Sequence, residues 1–131
     1  MNATATLSSA NGAPSAIRTN RFTGAERDAL LVLAFLHLEQ ARPADAAALL
    51  RPLHRVQPDD HEVERCLALA ELSAGEPAAA ARLAARAYTR APASLQSILG
   101  LVYAKALWQL NDAASARRVL LELVNTGGDA S

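Results

Sequence analysis

The chain has 131 residues, about half of them apolar and mostly Ala and Leu, with aromatics at only 4%. Thirteen basic side chains balance thirteen acidic ones, which excludes a simple electrostatic nucleic-acid binder and argues against a polybasic membrane-surface protein. A single cysteine, Cys66, leaves no intramolecular disulfide framework and no multi-cysteine zinc site.

The opening MNATATLSSA carries no basic residue ahead of an apolar run, so it does not read as a secretory signal. No stretch approaches the roughly 20 apolar residues of a membrane span. The expectation is a soluble protein of a reducing compartment without direct membrane insertion. Arg far outnumbers Lys and Ala is abundant, a bias of GC-rich bacterial genomes.

Residues 1–22 hold Ser, Thr, Asn and Ala without apolar periodicity, and read as a disordered tail. An uncharged, Ser/Thr-rich export signal is the functional alternative. Order is expected from Thr23, which with Glu26 forms a capping-box pattern ahead of an apolar run from Ala29 to Leu38. Ala41-Arg42-Pro43 breaks that run, and a second helix is expected over about 44–56. Pro58 ends it, Asp59 and Glu62 suggest another cap, and a third helix covers about 60–73. Gly75 and Pro77 turn the chain into a fourth helix over about 78–89. Pro92 ends that one, and Ser94 is placed to cap a fifth over about 95–110. Asn111-Asp112 leads to a sixth over about 113–125. Thr126-Gly127-Gly128 should end the structure, leaving 127–131 as a disordered C-terminus. Sparse β-branched residues leave few strand signals, so the fold class is all-α.

A repeat runs through these helices. Pro58 and Pro92 are 34 residues apart, as are Ala41 and Gly75, Ala34 and Ala68, and Ala46 and Ala80. A third copy follows at 36, with Ala104, Asn111 and Ala116 matching Ala68, Gly75 and Ala80. This pattern resembles the tetratricopeptide (TPR) repeat over residues 27–126. The resemblance implies three tandem helical hairpins (27–60, 61–94 and 97–126) in one domain, 23–126. Small residues at Ala34, Ala46, Ala68, Ala80, Ala104 and Ala116 would let the two helices of each hairpin approach closely. The middle repeat departs from the pattern, with Glu64, Ala84 and Ala87 where large apolar residues are usual, so its core is expected to be the thinnest.

Such repeats bury their apolar faces only by stacking on neighbours. The sixth helix is apolar around most of its circumference, through Val119, Leu120, Leu121, Leu123 and Val124. Either the hairpins close tightly enough to hide it or it is a partner or dimer face. On a TPR stack the first helix of each hairpin lines the concave groove. Leu31, Phe35, Leu38, Leu69, Leu72, Ile98, Leu101 and Trp108 would form its apolar stripe, interrupted by Arg65 and Lys105. That stripe lacks the Lys/Asn/Arg clamp that TPR co-chaperones use for acidic C-terminal peptides. It suits an amphipathic helix or an extended apolar segment of a partner, with self-burial of the groove as the competing reading.

His37, His54 and His61 lack ligand spacing, and no Asp/His or Cys/His cluster joins them, so no metal or cofactor is expected. Cys66 reads as a buried structural thiol on the third helix. Arg82, Arg86 and Arg90 form a stripe beside an acidic third helix, which suggests mutual pairing or a convex docking surface. No phosphate loop, nucleophile elbow or supported carboxylate pair is present, and no catalysis is inferred.

The segments ALLVLAFLHLEQ, ADAAALLRPLHRVQPDD and ERCLALAEL, in a chain of this length, resemble the TPR chaperones of bacterial type III secretion, and within them the YscY-like export-apparatus chaperones. The resemblance implies a cytoplasmic chaperone or adaptor that keeps a small secreted partner soluble in the groove. It would present that partner to the cytosolic domain of the export gate. Alternatives are a chaperone of a needle or translocator subunit, and a generic TPR interaction scaffold or homodimer without a client.

Overall fold

The computed structural model describes residues 22–130, which form six α-helices joined by two- to four-residue connections. They are α1 (Gly24–Glu39), α2 (Pro43–Val56), α3 (His61–Ser73), α4 (Pro77–Arg90), α5 (Ala93–Gln109) and α6 (Ala113–Ala130). No strand occurs among the described residues. The tail read over 1–22 lies outside them except for Phe22, which is half-buried against the core.

Local signals account for most boundaries. Thr23 and Glu26 form the capping box: the Glu26 amide donates to Thr23 Oγ1 at 3.0 Å, and the Thr23 amide donates to Glu26 Oε1 at 2.8 Å. Pro43 and Pro77 open α2 and α4, where a missing N–H costs nothing. Three expected boundaries shift. The cap of α3 is Asp60, which accepts from the Val63 amide, rather than Asp59. The residue before α5 is Pro92, with no side-chain cap, and Ser94 lies within the first turn. The last helix continues through Gly127 and Gly128 to Ala130, because glycine lowers helix propensity without forcing a stop.

Helices α1, α3 and α5 each end on one backbone device. Ala41, Gly75 and Asn111 all adopt positive φ, at 59°, 83° and 65°. In each case the next amide donates back to the carbonyl five residues earlier: Arg42 to His37 at 2.8 Å, Glu76 to Glu71 at 2.9 Å, and Asp112 to Leu107 at 2.9 Å. This is the Schellman closure, and it satisfies carbonyls that a helix end otherwise orphans. The 34- and 36-residue spacing in the sequence is therefore also a repeat in backbone conformation.

Each helix packs on the next, and α1, α3 and α5 also touch one another in a row. The six alanines expected at helix crossings are all buried. One cluster runs through α1 to α5, and a smaller one (Ala104, Ala116 and Val119) ties α6 to α5. The middle hairpin is not the thin part of this core. Glu64, Ala84 and Ala87 are buried because α3 and α4 are covered on both sides, and alanine lets the helices close the space that a larger residue would fill. Gly100 serves the same end in α5: a Cβ there would meet the Leu123 side chain of α6 at 2.7 Å.

The acidic residues of α3 and its cap find partners on three helices. Fully buried Glu64 accepts from Arg90 Nη2 at 2.9 Å, with Arg86 Nε 3.4 Å from its other oxygen. Glu71 is held by both arms of Arg51 on α2, at 2.9 and 2.7 Å. Asp60 and Glu62 are bound by Arg27 of α1. The expected α3–α4 pairing thus holds for Arg86 and Arg90, whereas Arg27 and Arg51 take the remaining acids.

Candidate functional site

The first helices of the hairpins build two adjoining clefts. One, of about 340 Å³, lies between α1 and α3 and is lined by Leu31, Val32, Phe35, Leu36 and Glu39 together with Glu62 and Cys66. The other, of about 290 Å³, lies between α3 and α5, with Leu69, Leu95, Ile98, Leu99 and Val102 joined by Arg65 and the same Glu62 and Cys66. The shared residues make the two clefts one trough across α1, α3 and α5. Phe35 is 57% exposed, Leu69 43% and Ile98 60%, so the trough is not filled by the side chains of the described residues.

Helical spacing explains why these positions are open. Phe35 and Leu69 follow the buried crossing alanines Ala34 and Ala68 by one residue, which rotates them out of the hairpin contact by about 100°. Charge enters the trough through Glu39, Glu62 and Arg65. Glu62 is engaged by Arg27 Nη2 at 2.7 Å, and this pair belongs to a network in which Arg27 also holds Asp60 through Nε at 2.8 Å. The guanidinium holds the Asp60 carboxyl below the usual aspartate range, chiefly through its hydrogen bonds, and the three carboxylates raise Arg27 in turn.

The eight expected groove residues do not form one stripe. Leu31 lines the α1–α3 cleft but is half-buried, and Leu38 is half-buried against the core. Leu72, expected in the groove, is buried in the core, at 8% exposure. Leu101 and Trp108 line a third cleft, between α5 and α6, with Lys105 and Leu120. The reason is positional. Leu38, Leu72 and Trp108 occupy equivalent places, on the helix side that turns toward the following hairpin. The next hairpin covers the first two, and no described helix follows α6 to cover Trp108. The trough therefore keeps Leu31, Phe35, Leu69 and Ile98. Leu95, Val32 and Leu36 join it: Leu95 lies three residues from Ile98, Val32 three from Phe35 and Leu36 four from Val32, and that helical spacing is the signal that could have found them.

Cys66 is half-exposed in the trough rather than buried, and desolvation pushes its thiol up, away from the reactive thiolate form. His37 and His54 each bury Nδ1 without a hydrogen-bond partner. No group of three or more His, Cys, Asp or Glu side chains able to hold a metal occurs among the described residues. On α2 to α4, Arg51, His54, Arg55 and Arg82 line a further, basic cleft around Glu71. No helix among the described residues is long and apolar enough to cross a membrane.

An apolar trough of this kind can bury another polypeptide segment, and its charges can set that segment's direction. No protein-family model matches this chain, and no curated protein sequence is significantly similar to it. The chemistry of the trough is thus read from its own residues.

Proposed function

We infer that the chain is a three-hairpin TPR protein whose trough across α1, α3 and α5 holds an apolar segment of a protein partner. Three hairpins with a shared Schellman closure and buried alanines at each crossing support the TPR reading. The observation that carries the function is the exposure of Phe35, Leu69 and Ile98 along two clefts that share one rim. Large apolar side chains left open in a row mark an interaction surface, and a helix or extended segment with apolar side chains at 3–4- or 2-residue spacing fits it.

With the sequence resemblance to YscY-like chaperones, the partner is a small secreted protein of a bacterial type III secretion system. The chain keeps it soluble in the cytoplasm by exchanging exposure of the partner's apolar helices for burial against Phe35 and Leu69. It acts as an adaptor and not as an enzyme, and the loaded pair is presented to the export gate. Phe35 is the main anchor, since it is the one aromatic among the described residues that line the trough, and large aromatics dominate such contacts.

The test is co-expression with the products of neighbouring genes, followed by affinity purification. Wild type should retain a small secreted protein. Phe35→Ala combined with Leu69→Ala should lose it while far-UV circular dichroism stays unchanged, because both side chains are exposed. Full retention of the partner by the double variant rules out the trough as its site.

A further inference from the structure

The cleft between α5 and α6 has the architecture of the two junctions that the chain fills internally. At the first junction α3 covers the groove of α1 and α2, and at the second α5 covers that of α3 and α4. Leu50 and Ala84 stand at equivalent places in those grooves and are wholly buried, whereas their counterpart Leu120 is 41% exposed. Leu72 is buried, and its counterpart Trp108 is 65% exposed. Leu101 and Val124 extend the same open face. Geometry thus calls for a helix on this end.

Charge narrows what that helix is. Among the described residues Lys105 is the one charged residue lining the cleft, and Arg117 stands where Ala47 and Ala81 stand in the filled grooves. Neither forms an ion pair among the described residues. A second copy fits poorly. Two of these faces opposed would gather both copies' Lys105 and Arg117, four cations, into one interface. Nor does α1 of another copy suit the cleft: Ala70 and Ala106, fully buried on the faces that α3 and α5 turn to the preceding hairpin, correspond to the much larger Leu36.

We propose that this end of the stack is a second docking site, taking an acidic amphipathic helix from another protein, seated as the first helix of a fourth hairpin. It does not rest on the trough reading, and a failure of the Phe35 and Leu69 test leaves it standing.

Trp108 is the sole tryptophan of the chain, so its fluorescence reports the site directly. The probe is a helix-stabilised synthetic peptide of residues 60–74 carrying Cys66→Ser. It is the acidic helix that fills the first internal groove, and it contains no tryptophan. Titrated into the full chain, it should shift Trp108 emission to the blue and saturate. A peptide with Glu62, Glu64 and Glu71 each changed to Lys should bind roughly five- to tenfold more weakly, and added salt should narrow that difference. Leu120→Asp in the chain should abolish the shift, and Phe35→Ala should leave it intact.

Four results overturn the proposal. They are an unshifted emission up to the solubility limit, equal affinity for the charge-reversed peptide, a shift that survives Leu120→Asp, and a blue-shifted emission in the free chain. The last, if it grows with protein concentration alongside dimer sedimentation, assigns the face to a second copy. If it is independent of concentration, the chain covers the cleft itself.

Discussion

Single residues carry the turns. Gly75 has no Cβ to strain at φ 83°, and an added Cβ would meet nothing within 4 Å. Ala41 holds the same left-handed conformation at a cost of about 1–2 kcal/mol. Asn111 tolerates it better, because its short polar side chain can bond locally. Ala41→Gly should therefore stabilise the chain by about 1 kcal/mol, with the flexibility of glycine in the unfolded state taking back part of the gain. Gly75→Ala should destabilise it by about 1 kcal/mol through the backbone alone. Urea unfolding checks both: the midpoints should move in opposite directions at unchanged slope. The positions of these turns were legible from their spacing. Their shared conformation was less so, because only one of the three is glycine.

At the scale of the helix, α3 shows how a residue that breaks a pattern is accommodated. Glu64 stands where a large apolar side chain is usual, and it is buried without trace of solvent. Arg86 and Arg90, one turn apart on α4, reach its two oxygens and also approach exposed Asp59 at 3.8 and 3.6 Å. Removing the arginines strands the charge, whereas removing the charge leaves arginines that remain half in water. The double variant Arg86→Ala with Arg90→Ala should cost about 3–5 kcal/mol, and Glu64→Leu should be close to neutral or stabilising. Thermal and denaturant unfolding separate these outcomes, and a large loss for Glu64→Leu contradicts the account. Periodicity alone suggested a weak middle hairpin, because it registers Glu64 and the small alanines as missing bulk. It has no knowledge of guanidinium groups arriving from the neighbouring helix.

For the whole molecule, burial is graded from the middle to the C-terminal end. The cluster that spans α1 to α5 contains most of the buried side chains, whereas α6 is attached through Ala104, Ala116 and Val119 with Tyr103 and Leu107 beside them. An element covered on one side opens at lower free energy than one covered on both. Amides of α6 should exchange hydrogen faster than those of α3 in native-state exchange measurements. Protection in α6 equal to that in α3 would show that the open end is as firmly held as the centre. Occupation of the end cleft by an acidic helix should raise protection in α6, because the bound helix covers Leu120 and Val124.

What the amino-acid order determined by itself was local and periodic: six helices, most of their boundaries, the repeat, and the small residues at each crossing. These follow from caps, prolines and 3.6-residue spacing, all of which act within a few turns of the chain. It also placed Phe35, Leu69 and Ile98 on exposed faces. Tertiary structure decided which apolar faces remain open, because that depends on whether another hairpin follows. Leu38, Leu72 and Trp108 have the same place in their repeats, and Trp108 is exposed because no described hairpin covers it as one covers the other two. The stripe read from the sequence thus divides into an inner trough and an end that the described residues leave open, and burial by a neighbour, which no single repeat encodes, sets the boundary between them.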